Sequence, residues 1–171
     1  MEIWDLYDKN RNVIGEHIRG NELPSNGYHL VVHVWIKNNK GEYLISQRAA
    51  SRPTHPLEWE CVGGSVLKGE SSLQGAIRET KEEVGIEIDE TMGHLVYTKI
   101  RDTINGNKFN DICDVWLFEY NGTVDLSNAT TDEVVQTRWM TREQIEKYFE
   151  DGKMVKSIKD LFYFVKDVNC F

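Results

Sequence analysis

The stretch GGSVLKGESSLQGAIRETKEEVGIEI, Gly63 to Ile88, limits the fold of this chain more than any other segment. Ser71 followed by Gln74 forms a capping-box pattern, and Gly85 suits the left-handed residue that closes a helix, so a helix is predicted over Ser72–Val84. At about 100° per residue, Leu73, Ala76, Ile77, Thr80 and Val84 fall on one arc, which is the predicted buried face. Glu79, Glu82 and Glu83 fall on a neighbouring arc, and Lys81 points away from both. Like charges three or four residues apart repel by roughly 0.2–0.5 kcal/mol per pair, and Arg78 to Glu82 is the weaker ordering of an i, i+4 ion pair. An oxygen-seeking divalent cation such as Mg²⁺ would turn that repulsion into attraction while keeping waters for a phosphate to displace. The alternating acids and central glycine of an EF-hand loop are absent. Gly63, Gly64 and Gly69 let a loop approach the helix closely, and the Gly63 carbonyl is a candidate further metal ligand.

The rest of the chain supplies strands around this helix. Alternating apolar residues predict strands over Ile3–Tyr7 and Val13–Ile18 joined by a turn, an N-terminal hairpin within residues 1–27. A strand over Tyr28–Ile36 places Leu30, Val32, Val34 and Ile36 on one face and His29, Val31 and His33 on the other. Asn38 to Gly41 then turns the chain into a strand over Glu42–Gln47. Trp59–Val62 leads into the glycines. His94–Thr103 and Phe109–Tyr120 flank Asn105-Gly106, a two-residue hairpin signal, and Trp139 ends a further short strand. Thr141 with Gln144 forms a second capping box, and Val155–Val168 carries helical periodicity, so residues 141–171 are read as C-terminal helices. The expected class is α/β (α+β), a mixed sheet sandwiched between helices, in a single domain over 1–171.

The spacing from Gly64 lifts these residues above ordinary turns and surface charge. Gly64 is followed after five residues by Glu70, after seven more by Arg78-Glu79, after two by Glu82-Glu83, and after one by Gly85 and apolar Ile86. Residues 64–86 thereby resemble the Nudix box, with Thr80 replacing the usual aliphatic residue. The resemblance implies a Nudix fold and hydrolysis of a diphosphate linked to another moiety. It implies that Glu79, Glu82 and Glu83 hold Mg²⁺ or Mn²⁺, with Glu79 also a proton acceptor, and that Glu70 and Arg78 orient these acids through a salt bridge. In many members an acid from a later loop completes the site, and Glu133, with Asp132 behind it, takes that place here.

Tyr28 to Trp59 is similar to the corresponding region of isopentenyl-diphosphate isomerases, which are Nudix relatives. Arg48 and Arg52 sit where that branch carries cations for the diphosphate, and arginine forks suit the task. His29 matches a metal-binding histidine of the isomerases. Their cysteine, however, aligns with Gly63, and Cys61 lies two residues early, about 7 Å along a strand. Isomerases also tend to lose the glutamate set that is intact here. Hydrolase is therefore the first expectation, isomerase the second, and a non-catalytic nucleotide-binding module of the same family the third.

Composition narrows the partners. Of 171 residues 40% are hydrophobic, enough for a core, while a net charge of −8 without a long basic run disfavours nucleic-acid polymers and anionic membranes. A small-molecule diphosphate is the expected ligand. The absence of a basic–apolar leader and the three scattered cysteines point to a reducing cytoplasm. A homodimer would bury the N-terminal hairpin and the aromatic run Leu161-Phe162-Tyr163-Phe164.

Overall fold

A computed structural model describes residues 1–104 and 107–169; the expected Asn105-Gly106 turn lies outside them. Among these residues the chain forms nine strands and three α-helices. Strands β1 (Ile3–Tyr7) and β2 (Val13–Ile18) pair antiparallel as a separate two-stranded hairpin, with the predicted bounds. The main sheet contains β3 (His29–Lys37), β4 (Tyr43–Arg48), β5 (Trp59–Glu60), β6 (Val62–Ser65), β7 (Gly93–Ile104), β8 (Asn107–Glu119) and β9 (Val134–Met140). It is mixed: β3 runs parallel to β8 and antiparallel to β6, while β8 pairs antiparallel with β7. Strand β4 pairs antiparallel with β5 and β9 and joins β3 at one position, Lys37 opposite Tyr43.

The alternation read from β3 sets the layers. Leu30, Val32, Val34 and Ile36 pack with Val62, Val66, Ile112 and Phe118 against α1 (Ser72–Val84) through Ala76 and Val84. On the other face Trp35 meets Tyr43, Cys113, Val115 and Leu117 under α2 (Arg142–Glu150) and α3 (Lys159–Val165), which contribute Ile145, Leu161 and Phe162. A helix therefore covers each face of the sheet. No helix among the described residues is long and apolar enough to cross a membrane.

Helix α1 begins and ends where its sequence predicts. The Ser71 side chain accepts from the Gln74 N–H at 3.2 Å and the Gln74 side chain accepts from the Ser71 N–H at 2.8 Å. Gly85 closes the helix at φ 72°. Thr80 is fully buried, and its hydroxyl donates to the Ala76 carbonyl at 2.8 Å, so the polar atom on the apolar arc is satisfied within the helix. Leu73 and Ile77 are only partly buried. The C-terminal segment departs from a continuous helix: a 3₁₀ turn over Lys156–Ile158 precedes α3, which ends at Val165.

The hairpin is fastened to the sheet by charge. Arg11, at the β1–β2 turn, forks onto the buried Asp114 carboxylate at 2.9 and 2.5 Å, and Thr98 donates to the same carboxylate at 2.7 Å. Tyr7 and Tyr28 bond through both backbone groups at 2.8 Å, so β1 enters next to the start of β3. Because the capping box orients the helix that carries the glutamates, Ser71→Ala should lower unfolding free energy by about 1 kcal/mol. Urea denaturation should show a shifted midpoint at an unchanged m-value.

Candidate functional site

Helix α1 faces the β6 strand across a space that only glycine permits. A Cβ on Gly64 would overlap the Glu79 carboxylate, and one on Gly63 would lie 2.6 Å from the Val32 carbonyl. Gly63 and Gly64 thus let the sheet approach the acids of the helix. Glu79, Glu82, Glu83, Arg78, Arg48, Arg52, Glu133, Gly63 and Gly64 line one pocket of about 160 Å³, joined by Ser65, Thr131 and, from the N-terminal hairpin, Glu2 and Arg19.

Arg78 organises the acids. Its Nε and Nη2 donate to the two Glu70 oxygens at 2.8 and 3.0 Å, and Nη2 also donates to the Ser65 carbonyl at 2.9 Å. Its Nη1 reaches Glu79 at 2.9 Å and Glu82 at 3.0 Å. Glu70 is anchored in turn by the Leu67 N–H at 3.0 Å. Helical spacing alone left the three glutamates without a counter-charge; the folded loop turns Arg78 onto two of them. Lys81 pairs elsewhere, with Glu87 at 2.7 Å.

The acids are also less exposed than an arc beside the core suggests. Glu83 is buried, and its Oε2 accepts from the Gly63 N–H at 3.4 Å. Burial pushes its carboxyl well above the usual carboxylate range, and the charges of Glu60, Glu79 and Glu133 push the same way. Glu79 is held at about 7: burial raises it, Arg78 lowers it, and Glu82 and Glu133 raise it again. These are carboxyls for which ionisation is costly without additional positive charge.

The loop before β9 delivers Glu133. Thr130 and Thr131 donate through their N–H groups to the Glu82 carbonyl at 3.0 and 3.1 Å, and the Thr131 hydroxyl does so at 3.1 Å. These three hydrogen bonds tie the end of α1 to this loop. Arg52 Nη1 pairs with Glu133 at 2.7 Å, and the Ala49 N–H donates to the Glu133 carbonyl at 2.8 Å. Arg48 pairs with Glu60 and donates to the Thr54 carbonyl at 2.9 Å. Both arginines thus reach the pocket already paired with carboxylates.

The donor set fits a hard divalent cation. It is all oxygen, it contains two carboxyls raised by burial, and it sits against a backbone cradle that a Cβ would fill. Among the described residues no three His, Cys, Asp or Glu groups already converge around a common point. Glu79 and Glu82 instead converge on Arg78 Nη1, and Arg78 would keep Glu70 and Ser65 if they turned away.

The family match adds an independent line. The NUDIX domain family matches residues 27–161, most of the chain. This chain belongs to the Nudix family. Uncharacterized Nudix hydrolases of Listeria innocua and Listeria monocytogenes are each 38% identical over 159 residues, covering 91% of this chain and 89% of theirs. An isopentenyl-diphosphate Delta-isomerase of Shigella boydii is 31% identical over 115 residues, covering 65% of this chain and 60% of its own. Among solved structures, a Deinococcus radiodurans protein superposes with a TM-score of 0.71 over 90% of this chain and 92% of its own, at 21% identity. A MutT protein of Methanosarcina mazei gives 0.64 over 82% of this chain and 94% of its own, at 25% identity. The chain is a Nudix hydrolase, of a family that acts on pyrophosphate bonds.

Other residues singled out in the sequence lie apart from this Nudix pocket. His29 stacks on Trp4 with ring centroids 4.4 Å apart, and its Nδ1 lies 3.3 Å from the Asn110 carbonyl. Cys61 is buried beside Trp35 and Cys113, and burial pushes its thiol well above its ordinary range. Glu2 and Arg19 were not found from sequence, because only the docking of the hairpin on the sheet brings them to the pocket.

A raised carboxyl in the folded state binds its proton more tightly than the unfolded chain does. Its contribution to stability is present at low pH and is lost as pH rises from about 4.5 through about 7. In metal-free buffer the melting temperature of Glu79→Gln relative to wild type should therefore climb between pH 5 and pH 8. A difference that stays flat across that range would contradict the assigned burial. Gly64→Ala, which displaces the Glu79 carboxylate, should abolish that pH-dependent difference when combined with Glu79→Gln, leaving the two Gly64→Ala proteins melting in parallel.

Proposed function

We propose that this Nudix hydrolase is a Mg²⁺- or Mn²⁺-dependent enzyme that cleaves the diphosphate bond of a nucleoside diphosphate linked to another moiety, or of a related small organic diphosphate. The observation that carries the reading is the meeting of Glu79, Glu82 and Glu83 with the Gly63–Gly64 backbone and with Arg48 and Arg52 in one small polar pocket. Glu79, Glu82 and Glu83, with the Gly63 carbonyl, would hold the cation. A bound Mg²⁺ supplies neutralisation of the phosphate oxygens and acidifies a water.

The chain's own groups then divide the remaining work. Arg48 and Arg52 bind phosphate oxygens by exchanging their carboxylate partners for the substrate, which arginine forks do with fixed geometry. Water adds to one phosphorus, the bridging P–O bond breaks, and the proton passes to the Glu79 carboxylate or to Glu133. Arg78 and Glu70 hold the acids in register and touch neither water nor substrate. The working unit on this reading is one domain over 1–171, with the box at 64–86.

Isomerase chemistry is the less supported reading. The strand position that a cysteine would occupy is Gly63, and Cys61 is enclosed in the apolar layer under α2 and α3. The relatives that span most of the chain carry the hydrolase name, whereas the isomerase match spans 65% of it.

Purified protein incubated with Mg²⁺ and a panel of nucleoside diphosphates, triphosphates, nucleotide sugars and isopentenyl diphosphate should release phosphate, pyrophosphate or nucleoside monophosphate from at least one member. Glu82→Gln should reduce kcat at least a hundredfold while retaining the fold by circular dichroism. Migration of the double bond in isopentenyl diphosphate without release would overturn the hydrolase reading. Binding without turnover across the panel would favour a non-catalytic module.

A further inference from the structure

Glu2 and Arg19 reach the diphosphate pocket from a hairpin far from the box in sequence, and the pleat of that hairpin turns them inward. Trp4 stands opposite His17 in the ladder of β1 and β2; both are buried, and Trp4 stacks on His29 of β3. Residues two apart on an extended chain share a face, so Glu2 and Arg19 continue the side of the hairpin that meets the sheet. The Arg19 N–H donates to the Glu2 carbonyl at 3.1 Å, which sets the two side by side.

The same hairpin is strapped to the loop that precedes α1. The Lys68 N–H donates to the Ile3 carbonyl and the Gly69 N–H to the Asp5 carboxylate, each at 2.8 Å, and the Lys68 ammonium pairs with Glu16. The next residue, Glu70, holds Arg78. Arg19 is therefore positioned by the loop that also positions the acids of the helix.

Four arginines line the pocket, and three are committed to other work. Arg78 binds Glu70, Ser65, Glu79 and Glu82. Arg48 holds Thr54 through Nε and Nη2 and Glu60 through Nη1, and Arg52 pairs with Glu133. The Arg19 guanidinium, among the described residues, donates to Glu2 alone, at 2.8 Å. Its side chain is 54% exposed, against 14%, 24% and 21% for Arg48, Arg52 and Arg78. An ion pair so exposed contributes little to stability. It joins the two strands of the hairpin to each other, and Arg11, Lys68 and Gly69 already fasten the hairpin to the domain.

We infer that Arg19 is a substrate-binding residue: its guanidinium leaves Glu2 and forks onto phosphate oxygens of the diphosphate, so that the N-terminal hairpin forms one wall of the working site. The inference rests on the proposed hydrolase reading for the position of the diphosphate. Most of the five donors of the guanidinium are free for the ligand, and the planar fork matches a phosphate. Glu2, exposed at the rim, returns to water when it is displaced. Glu2 thus competes with the substrate for Arg19 and sets how readily the pocket takes up an anion.

The test measures binding apart from turnover, with methylenediphosphonate, whose P–C–P bridge water does not cleave, titrated calorimetrically in the presence of Mg²⁺. Arg19→Ala should weaken binding about tenfold, and Arg19→Lys, which keeps the charge and loses the fork, should fall between it and wild type. Glu2→Gln should tighten binding about threefold, the size expected for removing an exposed ionic competitor. In the Arg19→Ala background Glu2→Gln should have no effect, because the competitor has lost its target. For whichever diphosphate the enzyme turns over, Arg19→Ala should raise KM about tenfold with kcat retained. A clasp between strands would move both single variants in the same direction, and bulk repulsion by Glu2 would persist in the double variant; either result overturns the inference. Hydrolysis with probe binding absent or indifferent to Arg19 overturns it while leaving the hydrolase reading intact. Arg19-dependent binding with no Mg²⁺-dependent hydrolysis of any diphosphate sustains it and refutes the hydrolase reading instead.

Discussion

Two glutamates of one helix and a third from the loop before it share a single guanidinium, and the geometry of the pocket follows from how that sharing is arranged. Arg78 meets Glu79 and Glu82 through one nitrogen while the other two hold Glu70 and the Ser65 carbonyl. The loop from Ser65 to Glu70 is thereby tied to the second and third turns of α1 by charge-assisted bonds, which are about twice as strong as neutral ones. Glu83 receives no such bond from Arg78 and is buried against the Gly63 backbone, where its ionised form is costly. The arrangement leaves carboxyl oxygens that gain from a cation and a guanidinium that does not lose its last partner when they find one.

The remainder of the fold supports that arrangement at fixed distances. The capping box holds the start of α1, and the bonds from Thr130 and Thr131 to the Glu82 carbonyl hold its end to the loop that carries Glu133. The glycine pair lets β6 come close enough for the backbone to meet the acids. The N-terminal hairpin, pinned by Arg11 to the buried Asp114, brings Glu2 and Arg19 to the rim. A mixed sheet covered on both faces provides the base on which these segments and the Arg48–Arg52 stretch converge.

The meaning of the two predicted phosphate arginines changed on folding. Arg52 pairs with Glu133 and Arg48 with Glu60, so each cation is matched by an acid in a pocket otherwise crowded with negative charge. An incoming diphosphate would take over these partners, and the freed carboxylates would then face the cation. On the proposed hydrolase reading, such an exchange would let an acidic pocket accept an anion without a net basic surface.

Much of α1 was legible in sequence because its signals are local. Ser71 with Gln74, Gly85 and the 3.6-residue periodicity act within a few residues of each other, and the observed bounds of Ser72–Val84 agree with them. The hairpin and the face alternation of β3 were legible for the same reason. The tie of Arg78 and Glu70 to the acids was legible only through the family resemblance, and the burial of Glu83 and the presence of Glu2 and Arg19 at the pocket were not legible at all. Each depends on chain segments distant in sequence: Arg78 is turned by Glu70 and Ser65, Glu83 is covered by β6, and the hairpin is placed by Asp114. Sequence by itself determined which residues carry charge, where the helix starts and stops, and which spacing marks the family. Only the tertiary structure decided the solvent exposure and the partners of those charges, because both are set by long-range packing that no local period encodes.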